Sequence, residues 1–219
     1  TDLLKKADET LSDLQFGAVD EVGKVKKGEA EKAAPIHLKK EGPWEEGRGM
    51  IIAVVQTGDP FSSLLADWVV EVLAGGESSV LNRKLRVEES LVYYVSGYTY
   101  SVGKDSLFCI SWLADREYLN QVEQTIFDVL RDLISNGLNG DVLSLAKKRI
   151  RFSATEQLET VESWAGRSGE SYAKFGFVPD PEEETRIIDS FGEKEFKTFL
   201  SENLDPARVM AGQLYPSNK

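Results

Sequence analysis

The chain has 219 residues, 41% hydrophobic and 29% charged, a globular composition that can fill one large domain with or without an appendage. Its net charge of -11 would repel a phosphate backbone, and it holds no run of about 18 uninterrupted apolar residues, so neither nucleic acid nor a membrane span is expected. Cys109 is the one cysteine and His37 the one histidine, which excludes an intramolecular disulfide and any zinc site that needs two histidines from this chain.

In chain order, Leu3, Leu4, Ala7, Leu11 and Leu14 fall on one apolar helical stripe that Phe16-Gly17 ends. Residues 18–34, rich in Lys, Glu, Gly and Ala, read as a linker. Strands are predicted over 36–40 and 50–56, the second from the continuous run Met50 to Val55. Pro60 opens a helix carrying Leu64, Leu65, Trp68, Val69 and Leu73, and Gly75-Gly76 stops it. A short helical stretch over 79–88 leads to strands at 91–102 and 106–114, joined by the turn Val102-Gly103-Lys104-Asp105 as an antiparallel hairpin. Asp115 is suited to cap a helix reaching Ser135, with Leu119, Val122, Ile126, Val129, Leu130 and Leu133 at core spacing.

Further helices are expected over 142–158, after the cap Thr160 to Phe175, after Asp180-Pro181, and over 193–202, before a last strand over 208–215. Lys147, Lys148, Arg149 and Arg151 read as a solvated helix face. The order of elements predicts an α+β fold, helices packed on one face of an antiparallel sheet. No Gly-x-Ser-x-Gly elbow, P-loop or Gly-x-Gly-x-x-Gly is present, and His37 lies in a strand-like segment without a nearby nucleophile motif.

The segment from Leu73-Ala74-Gly75-Gly76 through Ser78-Ser79 and Leu85-Arg86 to Leu91-Val92-Tyr93-Tyr94 resembles the second domain of the pitrilysin/insulinase peptidases and their mitochondrial processing peptidase relatives. In that family a helix ends in Leu-Gly-Gly-Gly, a Ser-Ser-Arg-Leu stretch follows, and Leu-Arg-Glu-x-x-Gly-Leu-Ala-Tyr enters a strand. The resemblance runs over about residues 35–216, through Leu204-Asp205-Pro206-Ala207-Arg208. Two departures stand out: Arg83 falls near rather than on the Ser-Ser-Arg arginine, and Ser90 replaces the common Gly before the Leu.

The resemblance implies a clamshell in which one half binds Zn²⁺ and the other, lacking the ligands, holds the substrate. It implies residues 1–17 as the terminal helix of a preceding half, 18–34 as linker and 35–219 as the non-catalytic domain, so the chain is expected to start inside a longer protein or to be a fragment of one. By motif position, Arg86 and Tyr93 would hold an extended peptide or unfolded protein segment over a zinc carried by another domain or subunit, with Gly75 and Gly76 lining the cleft. Chemically the pair suits the task, because a guanidinium fork and a phenol are donors for peptide carbonyls and for developing negative charge. Read without the resemblance, the two are an exposed helical arginine and a packed strand tyrosine. The chain alone is expected to be inactive and metal-free. The alternative is a catalytically inactive member acting as a structural or assembly subunit.

Overall fold

The computed structural model describes residues 37–217 except 139 and 208. The helix expected over 3–16 and the linker over 18–34 lie outside these residues. Contact between residues divides the chain into Thr1–Lys32 and Ala33–Lys219, and the second unit is the domain considered below.

Five strands form one sheet: β1 (His37–Gly42), β2 (Gly47–Gln56), β3 (Tyr94–Val102), β4 (Asp105–Ala114) and β5 (Met210–Pro216), in the order β1-β5-β2-β4-β3. The β3–β4 hairpin turns on two residues, Gly103-Lys104, and φ is +63° at Gly103 alone, the pattern of a type II′ turn whose twist suits the strands. The sheet is antiparallel except for β1 on β5, which run parallel. This corrects the fully antiparallel expectation. A tight turn forces its two strands to run opposite ways, whereas β1 and β5 are joined by the whole domain and their relative direction is unconstrained by any hairpin.

Helices pack on one face. They are α1 (Pro60–Ala74), α2 (Leu119–Asn136), α3 (Gly140–Glu156), α4 (Val161–Phe175), α5 (Pro181–Ser190) and α6 (Glu193–Asn203). Ile51, Ala53 and Val55 of β2 alternate toward them with Phe108, Ile110, Trp112 and Ala114 of β4, all nearly removed from solvent. Trp68 of α1 is fully buried, stacked on Phe191 at 5.3 Å and edge-on to Phe196 at 6.1 Å, so α1 is fastened to the connection before α6 by aromatic packing. Glycine is required at position 49, where a Cβ would lie 2.1 Å from the Trp112 ring. The opposite face of the sheet leaves Leu38, Val54, Tyr98 and Tyr100 exposed.

Candidate functional site

Asp59 caps α1 through its carboxylate on the Ser62 N–H, and the helix runs to Ala74. Gly75 follows at φ -82°, a value any residue adopts; what requires glycine there is Glu71, whose Cα a Cβ would meet at 2.5 Å. Gly76 sits at φ +137°, where L side chains are strained, and a Cβ would meet the Arg149 guanidinium at 2.6 Å. Arg149 reaches over from α3, donates to the Gly75 carbonyl and to Ser78 Oγ (3.2 Å), and lies 3.7 Å from Glu71 Oε2. The glycine pair is thus a turn gripped from the side of α3.

Arg149 also corrects the reading of the basic cluster. Lys147 donates to the backbone carbonyl of Asp189 at 3.1 Å and Arg151 pairs with the Asp189 carboxylate, so three of the four cations are engaged within the fold. The reason is local: the last carbonyls of a helix lack intrahelical partners, and α3 passes the C-terminal ends of both α1 and α5, where cations satisfy them.

The stretch expected as a short helix is π-helical over Asn82–Glu88. Leu85 is its buried anchor and Arg86 points outward, half-exposed, 3.8 Å from the exposed Glu77 carboxylate. An ion pair so open contributes little, but it places Arg86 beside the residue that follows Gly76. Asn82 is buried and donates to Ser79 Oγ and to the Val95 carbonyl, both at 3.1 Å, which ties the segment to β3. Ser90 takes φ +53°, turning the chain so that Leu91 and Val92 enter the core.

Tyr93 then lies one residue before β3, not within it, with its N–H on the Leu113 carbonyl at 2.8 Å. Its ring is 53% exposed and its hydroxyl donates to Asp115 Oδ1 at 2.9 Å. That bond, together with the Asp115 charge, raises the phenol above its ordinary value, so at neutral pH Tyr93 is a donor. Asp115 therefore does not cap α2 as expected; it makes no capping bond, and a 3₁₀ turn over Arg116–Tyr118 intervenes. The expected strand tyrosine and the expected helix cap are partners across the hairpin.

Arg86 and the Gly75-Gly76 turn are brought together through Glu77, while Tyr93 is tethered at the hairpin end by Asp115. None of the four lines the cavity of about 380 Å³ under α4 or that of about 570 Å³ beside the π-helical segment. Tyr93 immediately precedes β3, and β3 is an edge of the sheet. Leu113 O faces β3 and Asn82 takes the Val95 carbonyl from outside, so by strand alternation the N–H and C=O groups of Gly97, Thr99 and Ser101 point outward. The positioning of these segments falls to buried Asn82, which ties the π-helical segment to β3, to Asp115, which holds Tyr93, and to Arg149, which holds the glycine turn. Sequence spacing singled out none of them for this role, though Arg149 lies in a basic cluster and Asp115 carries a capping signal.

The described residues do not fit zinc. No group of three His, Cys, Asp or Glu side chains converges among them, His37 is committed to Glu123 Oε1 at 3.1 Å, and Cys109 is buried.

The fold is a mixed five-stranded sheet backed by helices on one face, with a glycine turn held by Arg149. Residues 1–150 match the family described as Peptidase M16 inactive domain, and the chain belongs to that family. No curated protein matches the sequence. Among solved structures, the chain is similar to a protease from Helicobacter pylori (TM-score 0.86, 11% identity, 98% of this chain and 52% of that one). It is similar to a peptidase M16 inactive domain from Pseudomonas fluorescens (TM-score 0.72, 17% identity, 84% and 44%) and to a chain of Complex III2 from Candida albicans (TM-score 0.70, 13% identity, 83% and 46%). At such identities the likeness is one of fold. The chain spans about half the length of these solved relatives.

Proposed function

We propose that this chain is the substrate-holding, non-catalytic half of a zinc-dependent endopeptidase. An extended peptide adds to the free edge of β3 while Arg86 and Tyr93 donate to its carbonyls, with Gly75 and Gly76 beside it. The observation that carries the reading is the outward-facing backbone of Gly97, Thr99 and Ser101, unpaired among the described residues, which starts a few residues after Tyr93 and offers main-chain bonds to any extended segment. Glu77 and Asp115 hold the two donors in exposed positions, and a peptide carbonyl would compete with those carboxylates for them. Zinc and the water it activates belong on this reading to the other half, since the donor set here does not suit the metal.

The test is kinetic. In the enzyme assembled with its zinc-bearing half, Tyr93→Phe and Arg86→Ala each lower kcat/KM, Arg86→Ala by on the order of 2–4 kcal/mol of transition-state stabilisation, with folding intact. Normal turnover in both variants discards the reading. A second reading, a structural subunit, is favoured by the likeness to a chain of Complex III2. On that reading the chain forms a stable complex with its partner half and the complex cleaves no peptide.

A further inference from the structure

Helix α4 turns apolar side chains outward. Val161, Trp164 and Tyr172 lie within one stripe of the helix and are 88%, 48% and 65% exposed, whereas Arg167 and Lys174, with Phe175 at the helix end, turn to the body of the domain. An ordinary surface helix buries the apolar stripe and wets the polar one. No residue of α4 is buried, and among the described residues its backbone packs closely along no other element. What it covers is a polar chamber of about 380 Å³, walled by α1, β3 and α3. Asp67 of α1 lies there, accepting from the Thr99 hydroxyl at 2.6 Å.

The attachments of α4 are polar and few. Lys174 inserts its ammonium among Ser63 (2.9 Å), Ser106 (3.3 Å) and Ser101 (3.4 Å), and Arg167 pairs with Glu184 of α5. Turns flank both ends. The chain turns at residues 157–160 before the Thr160 cap, and Gly176 ends the helix in the left-handed region at φ +80° with open space around it. Breaking such contacts hydrates charges and hydroxyls, whereas lifting α1 would expose Trp68, Val69 and Leu73 to water. The free energy of opening α4 is therefore well below that of unfolding the domain.

We propose that α4 is a lid on the polar chamber, latched by Lys174 and Arg167, that swings open while the rest of the domain stays folded. Hydrogen exchange on the full chain reads this. The amides of 161–175 exchange at least roughly tenfold faster than those of α2, and Lys174→Gln speeds them about tenfold more while α2 is unchanged. A second probe reports access to the chamber. In Asp67→Cys, a small thiol reagent modifies the introduced thiol about tenfold faster once Lys174→Gln is added, while Cys109, buried in the sheet and registering global unfolding, reacts at an unchanged rate. The proposal is overturned if α4 exchanges at the rate of α2, if Lys174→Gln accelerates both alike, or if Lys174→Gln leaves the labelling of the introduced thiol unchanged.

Discussion

Ser90 is held at φ +53° between the π-helical segment and the buried Leu91, a conformation that costs a non-glycine residue about 1–2 kcal/mol. Part of that returns as the extra chain entropy a glycine loses on folding. Ser90→Gly should therefore stabilise the domain by about 0.5–1 kcal/mol, seen as a higher urea midpoint at unchanged slope. A lower midpoint would mean that the Ser90 side chain is itself required. At Arg149 the change goes the other way. Arg149→Ala strips a donor from the Gly75 carbonyl and leaves the Glu71 carboxylate beside it uncompensated. With both side chains about a third exposed, we expect a loss of about 1–2 kcal/mol in the same measurement. Arg149→Lys should restore it only in part, because an ammonium lacks the planar fork whose two nitrogens serve the Gly75 carbonyl and Ser78 separately.

At the scale of elements, α1 carries two carboxylates along its line of contact with α3 and α4. Burial raises Asp67 above its ordinary value of 3.8, the Thr99 hydroxyl and Lys174 opposing, and burial also raises Glu71, opposed by Arg149. A raised carboxyl means that the folded state holds its proton more tightly than the unfolded chain, so stability falls as pH rises from the ordinary carboxylate range through the folded value. Asp67→Asn, which keeps an oxygen for Thr99, should flatten that decline in a denaturation series from pH 4 upward. A series as steep as that of the parent would place the proton uptake elsewhere. Element boundaries follow the same logic of competing partners. Asp115 has the sequence signal of a helix cap, yet its carboxylate goes to Tyr93, which arrives from 22 residues earlier once the hairpin has closed. Capping signals report local chemistry, and a distant hydroxyl can take the same oxygen.

At the scale of the whole molecule, the expectation is dependence on another half. After desalting, the purified chain should hold no stoichiometric zinc, because His37 is paired with Glu123 and Cys109 is buried. It should not hydrolyse unstructured peptides with zinc added, and should gain chelator-sensitive turnover only with a zinc-bearing partner half. One tightly bound zinc per chain, or turnover that survives further purification, would contradict this.

Much of the architecture was legible in the order of residues, because local rules generate it. Pro60 after Asp59, Thr160 before Val161 and Asp180-Pro181 start helices where their side chains and fixed φ satisfy the first turn. Gly103 closes the hairpin, and the run Met50 to Val55 is a central strand, extended backward to Gly47. The family resemblance is carried by the same short-range string from Gly75 to Tyr93. The parallel pairing of β1 with β5 and the seating of Arg149 on Gly75 were decided only by the tertiary structure, as were the Tyr93–Asp115 bond and the outward apolar stripe of α4. Each joins residues far apart in the chain or depends on which side of a helix meets a neighbour. Spacing along a sequence fixes which residues share a face, but only packing decides where that face points.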